Sequence, residues 1–218
     1  MPIYNEKKNI FKELYKWIKA FNLIGFKNYK FIIINDGSKD KSLIEIKRVK
    51  HRSISVYSFK NSGHGAACTR GYKLAIKKKF SWILQIDSDG QCDSKYLEKF
   101  LKLTKQNDCI FGNRVRRNDG KQRILFSKIL SLLVFFKKGI YVKDLNVPYR
   151  LIKSDLLKLC VNKISNKIIL KNVQLSYLIR SRARIAYVPM TFLKRTYGSS
   201  KYNYRSLLKQ LVNLIIHI

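Results

Sequence analysis

An α/β fold with a largely parallel sheet flanked by helices is predicted by three features of this 218-residue chain. Short β-branched runs alternate with stretches of helical periodicity through the first half. One of them, Phe31-Ile32-Ile33-Ile34, is continuously apolar, as a strand buried on both faces of a parallel sheet requires. Polar clusters follow them at their carboxyl ends, where ligand sites of open α/β sheets lie.

The elements follow in order. From Lys7 the apolar residues Ile10, Phe11, Leu14, Trp17, Ile18 and Phe21 share one helical face, with Asn5 as the expected N-cap. Residues 31–34 form a strand that runs into Asn35-Asp36-Gly37-Ser38, and Ser38 is placed to cap a helix carrying Leu43, Ile44 and Ile46. A strand at 54–59 enters the glycine turn Asn61-Ser62-Gly63-His64-Gly65 and then a helix through Leu74 and Ile76. The strand at 82–86 ends at Asp87-Ser88-Asp89-Gly90-Gln91, followed by a helix at 96–103 and a strand at 109–111. Residues 124–136 are apolar apart from Ser127, Lys128 and Ser131, and lie between Arg123 and Lys137-Lys138. That segment reads either as a core helix or as an interfacial helix with basic residues at lipid headgroups. Mixed helices follow, with a further strand at 185–188.

Charge and cysteine usage bound the function. Lys and Arg number 46 against 13 Asp and Glu, a net charge of +33. Such a balance suits nucleic acid, an anionic membrane surface or a phosphorylated substrate, and it equally suits a solvated lysine surface. No helix-turn-helix, zinc-finger, RNP or KH signature is present, which leaves a nucleic-acid-binding protein as a distant alternative. Cys68, Cys92, Cys109 and Cys160 stand singly, so neither a disulfide framework nor a structural zinc site is expected, and a reducing compartment fits. No apolar run reaches the ~18 residues of a spanning helix. The expectation is a cytoplasmic protein that is peripherally membrane-associated.

Asp87 and Asp89, one residue apart beyond a buried strand, can face one hard cation while Ser88 points away, with Gln91 supplying a third oxygen. A Mg²⁺ or Mn²⁺ held by so few protein oxygens shares its shell with water and substrate phosphate, which suggests a diphosphate ligand. Asp36 is placed to accept hydrogen bonds from a nucleobase or ribose, or to serve as an ordinary turn residue. The turn at 61–65 lacks a dinucleotide fingerprint and a P-loop ending, and His64 reads as structural.

Eight ordered motifs carry a resemblance to family-2 glycosyltransferases of the GT-A fold, in particular the dolichol- and polyprenyl-phosphate sugar synthase branch. They are Pro2-Ile3-Tyr4-Asn5-Glu6, Asn35-Asp36-Gly37-Ser38-Lys39-Asp40, residues 61–67, residues 87–91, Gly112-Asn113-Arg114, Arg123-x-x-x-Ser127, Asp144-x-Asn146-x-Pro148-Tyr149-Arg150 and Arg195-x-x-Gly198-x-Ser200-Lys201. The resemblance implies a Rossmann-like sheet and one glycosyltransferase domain over 1–218. Residues 1–120 would form its nucleotide-sugar and metal half, and 121–218 its acceptor and membrane-interface half. It implies a nucleotide-sugar donor with Pro2, Tyr4, Glu6 and Asp36 at the nucleoside, and Mg²⁺ or Mn²⁺ on Asp87, Asp89 and Gln91. It further implies an acceptor phosphate received by Arg114, Arg123 and Ser127, and Arg195 in a segment that closes near the donor phosphates. Asp87, Asp89, Arg114 and Arg195 would be the catalytic set.

A polyprenyl or dolichyl phosphate acceptor is ionised at neutral pH and requires no strong base. A glycan or lipid hydroxyl, the alternative acceptor in cell-surface polysaccharide synthesis, requires a carboxylate. Residues 164–195 contain no Asp or Glu, so such a base would have to come from elsewhere, such as Asp144. Family members begin with an apolar strand before the Pro-x-Tyr-Asn-Glu motif. Here Met1 directly precedes Pro2, so the expectation is a sheet that lacks a complete first strand, from an upstream start or a fragment, with inactivity a further possibility. Residues 211–218 read as an amphipathic anchor or the beginning of a longer hydrophobic segment.

Overall fold

The computed structural model describes residues 1–118, 120–195, 197 and 204–218, with only the backbone at Lys121 and Tyr204. Seven strands and eight α-helices are found among the described residues. The strands are β1 (Pro2–Ile3), β2 (Phe31–Asn35), β3 (Ile54–Ser58), β4 (Trp82–Gln85), β5 (Cys109–Arg117), β6 (Arg150–Lys153) and β7 (Ala186–Phe192). The helices are α1 (Ile10–Leu23), α2 (Ser42–Arg48), α3 (His64–Lys77), α4 (Leu97–Leu103), α5 (Lys121–Lys138), α6 (Ser154–Val161), α7 (Lys171–Arg180) and α8 (Tyr204–His217).

Strands β1, β2 and β3 pair in parallel, with β2 in the middle. The other four stand in the order β4-β6-β5-β7, and there β5 and β7 are parallel. Most pairings are therefore parallel, as the alternating pattern predicts. The exception is β6, antiparallel to both β4 and β5. Arg150-Leu151-Ile152-Lys153 is a run of only four residues, and sequence periodicity alone does not separate it from the helices around it.

The first strand is short, in line with expectation. It covers Pro2–Ile3 only, and between the rest of β2 and β4 lies a cavity of about 520 Å³ lined by Met1, Ile32, Tyr72, Leu84 and Leu97 among others. The Met1 ammonium, buried there, donates to the Ile32 carbonyl at 3.0 Å, and burial lowers its pKa.

Local structure corrects two predicted caps. Asn5 does not cap α1: it sits at φ 55°, and the chain turns once more before Ile10 because Glu6 O accepts from the N–H groups of Asn9 and Ile10, both at 2.9 Å. Asn5 instead accepts from Lys39 N at 2.8 Å and donates its own N–H to Ser38 Oγ at 3.0 Å. Ser38 is thus spent on tying the loop after β1 to the loop after β2, and α2 starts later, at Ser42. Asp40 Oδ1 accepts from Ser42 N at 3.0 Å in its place.

The core sits around Trp17 of α1 and Phe100 of α4, which meet Tyr149 edge-on at 5.5 Å and stacked at 4.4 Å. Beside it, Arg150 is fully buried and reaches three carbonyls: Val147 at 2.6 Å, Leu145 at 2.8 Å and Asn172 at 2.9 Å. It also lies over the Phe111 ring at 4.8 Å. Removing it strands those carbonyls and leaves a cavity. Arg150→Met is expected to cost at least about 3 kcal/mol, a melting temperature lower by roughly 6–12 °C. An unchanged melt would show that the guanidinium does not hold this loop.

Candidate active site

Four loops meet at the carboxyl ends of β1, β2 and β4 and at the end of β7. The turn after β4 carries Asp87, Ser88 and Asp89. Ser88 is buried and donates to the Pro2 carbonyl at 3.0 Å, so it faces away from the crevice as the spacing predicts. Asp87 Oδ1 is buried and has no hydrogen-bond partner among the described residues. Asp89 Oδ1 accepts from Gln91 N at 3.1 Å, while Oδ2 lies 3.7 Å from Arg195 Nη1. Burial, then the neighbouring Asp87 charge, pushes the Asp89 carboxyl up to about 6.

Arg195 ties this turn to the first loop. Its Nη2 pairs with Glu6 Oε1, and its Nε donates to the Tyr197 carbonyl at 2.8 Å. Glu6 is buried, and its Oε2 accepts from Asn9 Nδ2 at 2.6 Å. Burial raises the Glu6 carboxyl pKa, against the lowering effects of Asn9 and Arg195. The arginine is brought here by Gln91, whose backbone oxygen accepts from Leu193 N at 3.1 Å and whose Nε2 donates to Leu193 O at 3.0 Å. Gln91 therefore clips the strand exit to the acidic turn, and Oε1 is its remaining atom for a cation. Gly198, Ser200 and Lys201 of the same motif lie outside the described residues.

Asp36 is buried and engaged with the glycine turn. Its two oxygens accept from Ser62 N at 2.9 Å and Gly63 N at 2.8 Å, and Arg70 stands 3.6 Å away. Gly37, at φ 73°, packs so closely that a Cβ would come within 2.8 Å of Asn61 N, so this position requires glycine. Pro2 and Tyr4 lie on the same side, on β1 and just beyond it.

One histidine, expected to be structural, borders the crevice. His64, first residue of α3, has Nε2 3.7 Å from Asp87 Oδ1, 3.5 Å from Cys68 Sγ and 3.4 Å from Asn172 Nδ2. The only signal for it was its place in the glycine turn. The four cysteines are buried and unpaired, as expected.

The residues expected at the acceptor divide into two groups. Arg114, on β5, is not turned outward. It grips Asp144 with Nε and Nη2, both at 2.7 Å, and lies 5.0 Å over the Phe192 ring. Asp144, buried and held by both oxygens, is thereby removed as the alternative general base. Arg123 and Ser127 lie one turn apart on the first turns of α5. Ser127 Oγ accepts from Arg117 Nη1 at 2.8 Å, so Arg117 joins this cluster although the motifs did not single it out.

Among the described residues no group of three or more His, Cys, Asp and Glu converges as a ready metal cage. The orphaned Asp87 oxygen and the raised carboxyl of Asp89 nevertheless fit a divalent cation whose remaining ligands come from substrate and water.

The family model described as Glycosyl transferase family 2 matches residues 1–157. The chain belongs to that family. With membership comes the enzyme class, a glycosyltransferase. This family 2 chain is 30% identical over 171 residues to an uncharacterized protein of Methanocaldococcus jannaschii, covering 72% of each chain. It is 22% identical over 220 residues to the undecaprenyl-phosphate 4-deoxy-4-formamido-L-arabinose transferase of Edwardsiella ictaluri, covering 99% of this chain and 65% of that enzyme. Its fold is that of glucosyl-3-phosphoglycerate synthase from Mycobacterium tuberculosis, a structure solved with Mn²⁺ and UDP-glucose. The TM-score is 0.64 at 14% identity, over 99% of this chain and 76% of that one. The GT-A expectation is met by this likeness.

Proposed function

We propose that this family 2 glycosyltransferase moves a sugar from a nucleotide-sugar donor to a polyprenyl or dolichyl phosphate at the cytoplasmic membrane face. The observation that carries the acceptor is the state of its carboxylates. Asp144 is clamped by Arg114, and residues 164–195 hold no Asp or Glu, so neither of these places offers a carboxylate base to a hydroxyl acceptor. A phosphate oxygen, ionised at neutral pH, needs none. The name of the Edwardsiella ictaluri relative points the same way.

In this reading residues 1–120 hold the donor and 121–218 the acceptor. Pro2, Tyr4, Glu6 and Asp36 border the nucleoside. Asp87 and Asp89, with Gln91 Oε1, would hold Mg²⁺ or Mn²⁺, whose charge offsets that of the departing diphosphate. Arg123 and Ser127 hold the lipid phosphate, with Arg117 oriented beside them and Arg114 braced by Asp144 behind. A phosphate oxygen then bonds to the anomeric carbon as its bond to the diphosphate oxygen breaks. Arg195, already between Glu6 and Asp89, turns its guanidinium to the phosphates that leave. Catalysis rests on positioning and charge rather than on proton transfer.

A hydroxyl acceptor is the second reading, favoured by the fold neighbour whose crystals contain phosphoglyceric acid. Arg123→Ala separates the two. Transfer to polyprenyl phosphate in detergent is expected to fall by about 10²-fold or more, because a charge-assisted contact to the nucleophile is lost. Transfer to polyprenyl phosphate that persists at the wild-type rate would take Arg123 out of the phosphate site.

A further inference from the structure

Buried carboxylate oxygens are ordinarily hydrogen-bonded, and Asp87 Oδ1 has no such partner among the described residues. Its charge is nevertheless felt next door, where it helps to hold the Asp89 carboxyl up. A cation ligand that is not held in place must be ordered when the ion arrives, which weakens binding.

The group that faces this oxygen comes from the glycine turn. His64 Nε2 lies 3.7 Å from Asp87 Oδ1, longer than a direct hydrogen bond and in the range of site contacts that tighten once a ligand is bound. The ring is placed from two sides. Gly65, next in sequence, packs so closely on the segment entering α7 that a Cβ would come within 3.1 Å of the Ile169 carbonyl oxygen and of Lys171 Cβ. Asn172 of α7 brings Nδ2 to 3.4 Å from His64 Nε2, and its backbone oxygen accepts from Arg150 Nη1 and from Ser176 Oγ, both at 2.9 Å. Cys68, one turn along α3, sets Sγ 3.5 Å from the same ring nitrogen. A chain of contacts therefore runs from Arg150 through Asn172 to His64 and ends at the acidic turn.

The ring's tautomer follows from what surrounds Nε2. A thiol donates or accepts, and an asparagine amide exchanges its nitrogen and oxygen by a half-turn, so Cys68 and Asn172 suit either form. An ionised carboxylate only accepts. Asp87 therefore decides, and it requires the hydrogen on Nε2.

We propose that His64 is the positioning residue of Asp87, its Nε2–H holding the carboxylate in the orientation that receives the cation. This rests on the reading of Asp87 as a cation ligand and adds the group that sets it.

Two measurements test it, the first without metal. Long-range proton–nitrogen NMR correlations of the histidine rings near neutral pH, with His64 assigned from the signal lost in His64→Gln, are expected to show its hydrogen on Nε2. A His64 ring with Nε2 bare overturns the proposal. The second is titration of the full chain with Mn²⁺ alone, followed by the paramagnetic resonance signal of the free ion. His64→Gln, whose amide nitrogen reaches the place of Nε2, is expected to bind Mn²⁺ within about threefold of wild type. His64→Asn, whose amide reaches only the place of Nδ1, and His64→Leu are expected to bind it about tenfold or more weaker. The side chain is 41% exposed, so all three variants are expected to fold. A ring that merely fills space would not separate Gln from Asn, and equal affinities in those two variants, or wild-type affinity in His64→Leu, would refute the role of His64 while leaving the cation site standing. A wild-type chain that carries Nε2–H yet binds no Mn²⁺ would remove the cation site itself.

Discussion

Asp89→Ala is expected to lower metal-stimulated sugar transfer by at least about 10³-fold, the scale of losing roughly 4 kcal/mol of charge stabilisation at a departing diphosphate. Asp89 feels both the neighbouring Asp87 charge and the Arg195 guanidinium, whose Nη1 lies 3.7 Å from its Oδ2. The same residue predicts a pH effect. Its carboxyl is pushed up to about 6 in the folded metal-free chain, above its ordinary unfolded value. A carboxyl raised in this way contributes stability below its unfolded pKa, and that contribution is lost as pH rises through about 6. A cation restores it by balancing the ionised form. Mn²⁺ at about a hundred times its dissociation constant is therefore expected to stabilise the protein by about 2.7 kcal/mol near pH 7.5, a melting shift of roughly 5–10 °C. Near pH 5, where Asp89 holds its proton, the shift should be much smaller, and in Asp89→Ala it should vanish. A shift of equal size at both pH values and in the variant would move the metal elsewhere.

Arg195→Ala is expected to reduce kcat by about 10²–10³-fold while changing the donor KM less, as is usual for a donor that acts on charge developing in the transition state. The residue already spans Glu6 and Asp89, at the point where diphosphate would lie. Arg195→Lys should rescue little, because a single ammonium cannot hold two partners in a fixed fork. Steady-state kinetics with saturating lipid phosphate decides this. A kcat within about twofold of wild type would reduce Arg195 to a structural clip between β7 and the first loop.

What could be read without coordinates follows from the range of the forces involved. The core faces of α1 and β2 were legible because Trp17, Phe21 and residues 31–34 repeat with the period of their own element. The turn at Asp87 and Asp89 was legible because both carboxylates lie within three residues at a strand end. Strand β6 was not, since only its antiparallel pairing between β4 and β5 makes a strand of four residues. The contact of His64 with Asp87 depends on how α3 docks beside β4, and no local pattern encodes it. Likewise the motif residues Arg114 and Asp144 were both visible, but their mutual grip, thirty residues apart, was not. That grip changes the chemistry most, because it takes Asp144 away as a base and turns Arg114 into a braced cation.

The central claim is tested most directly by nucleoside diphosphate release in detergent with Mn²⁺, over a panel of nucleotide sugars with and without undecaprenyl or dolichyl phosphate. Release that needs both one particular donor and the lipid phosphate is the predicted result, and it would name the sugar. Release that proceeds equally without the lipid phosphate, or that appears only with a hydroxyl acceptor, would contradict the assignment of Arg123 and Ser127 to a phosphate.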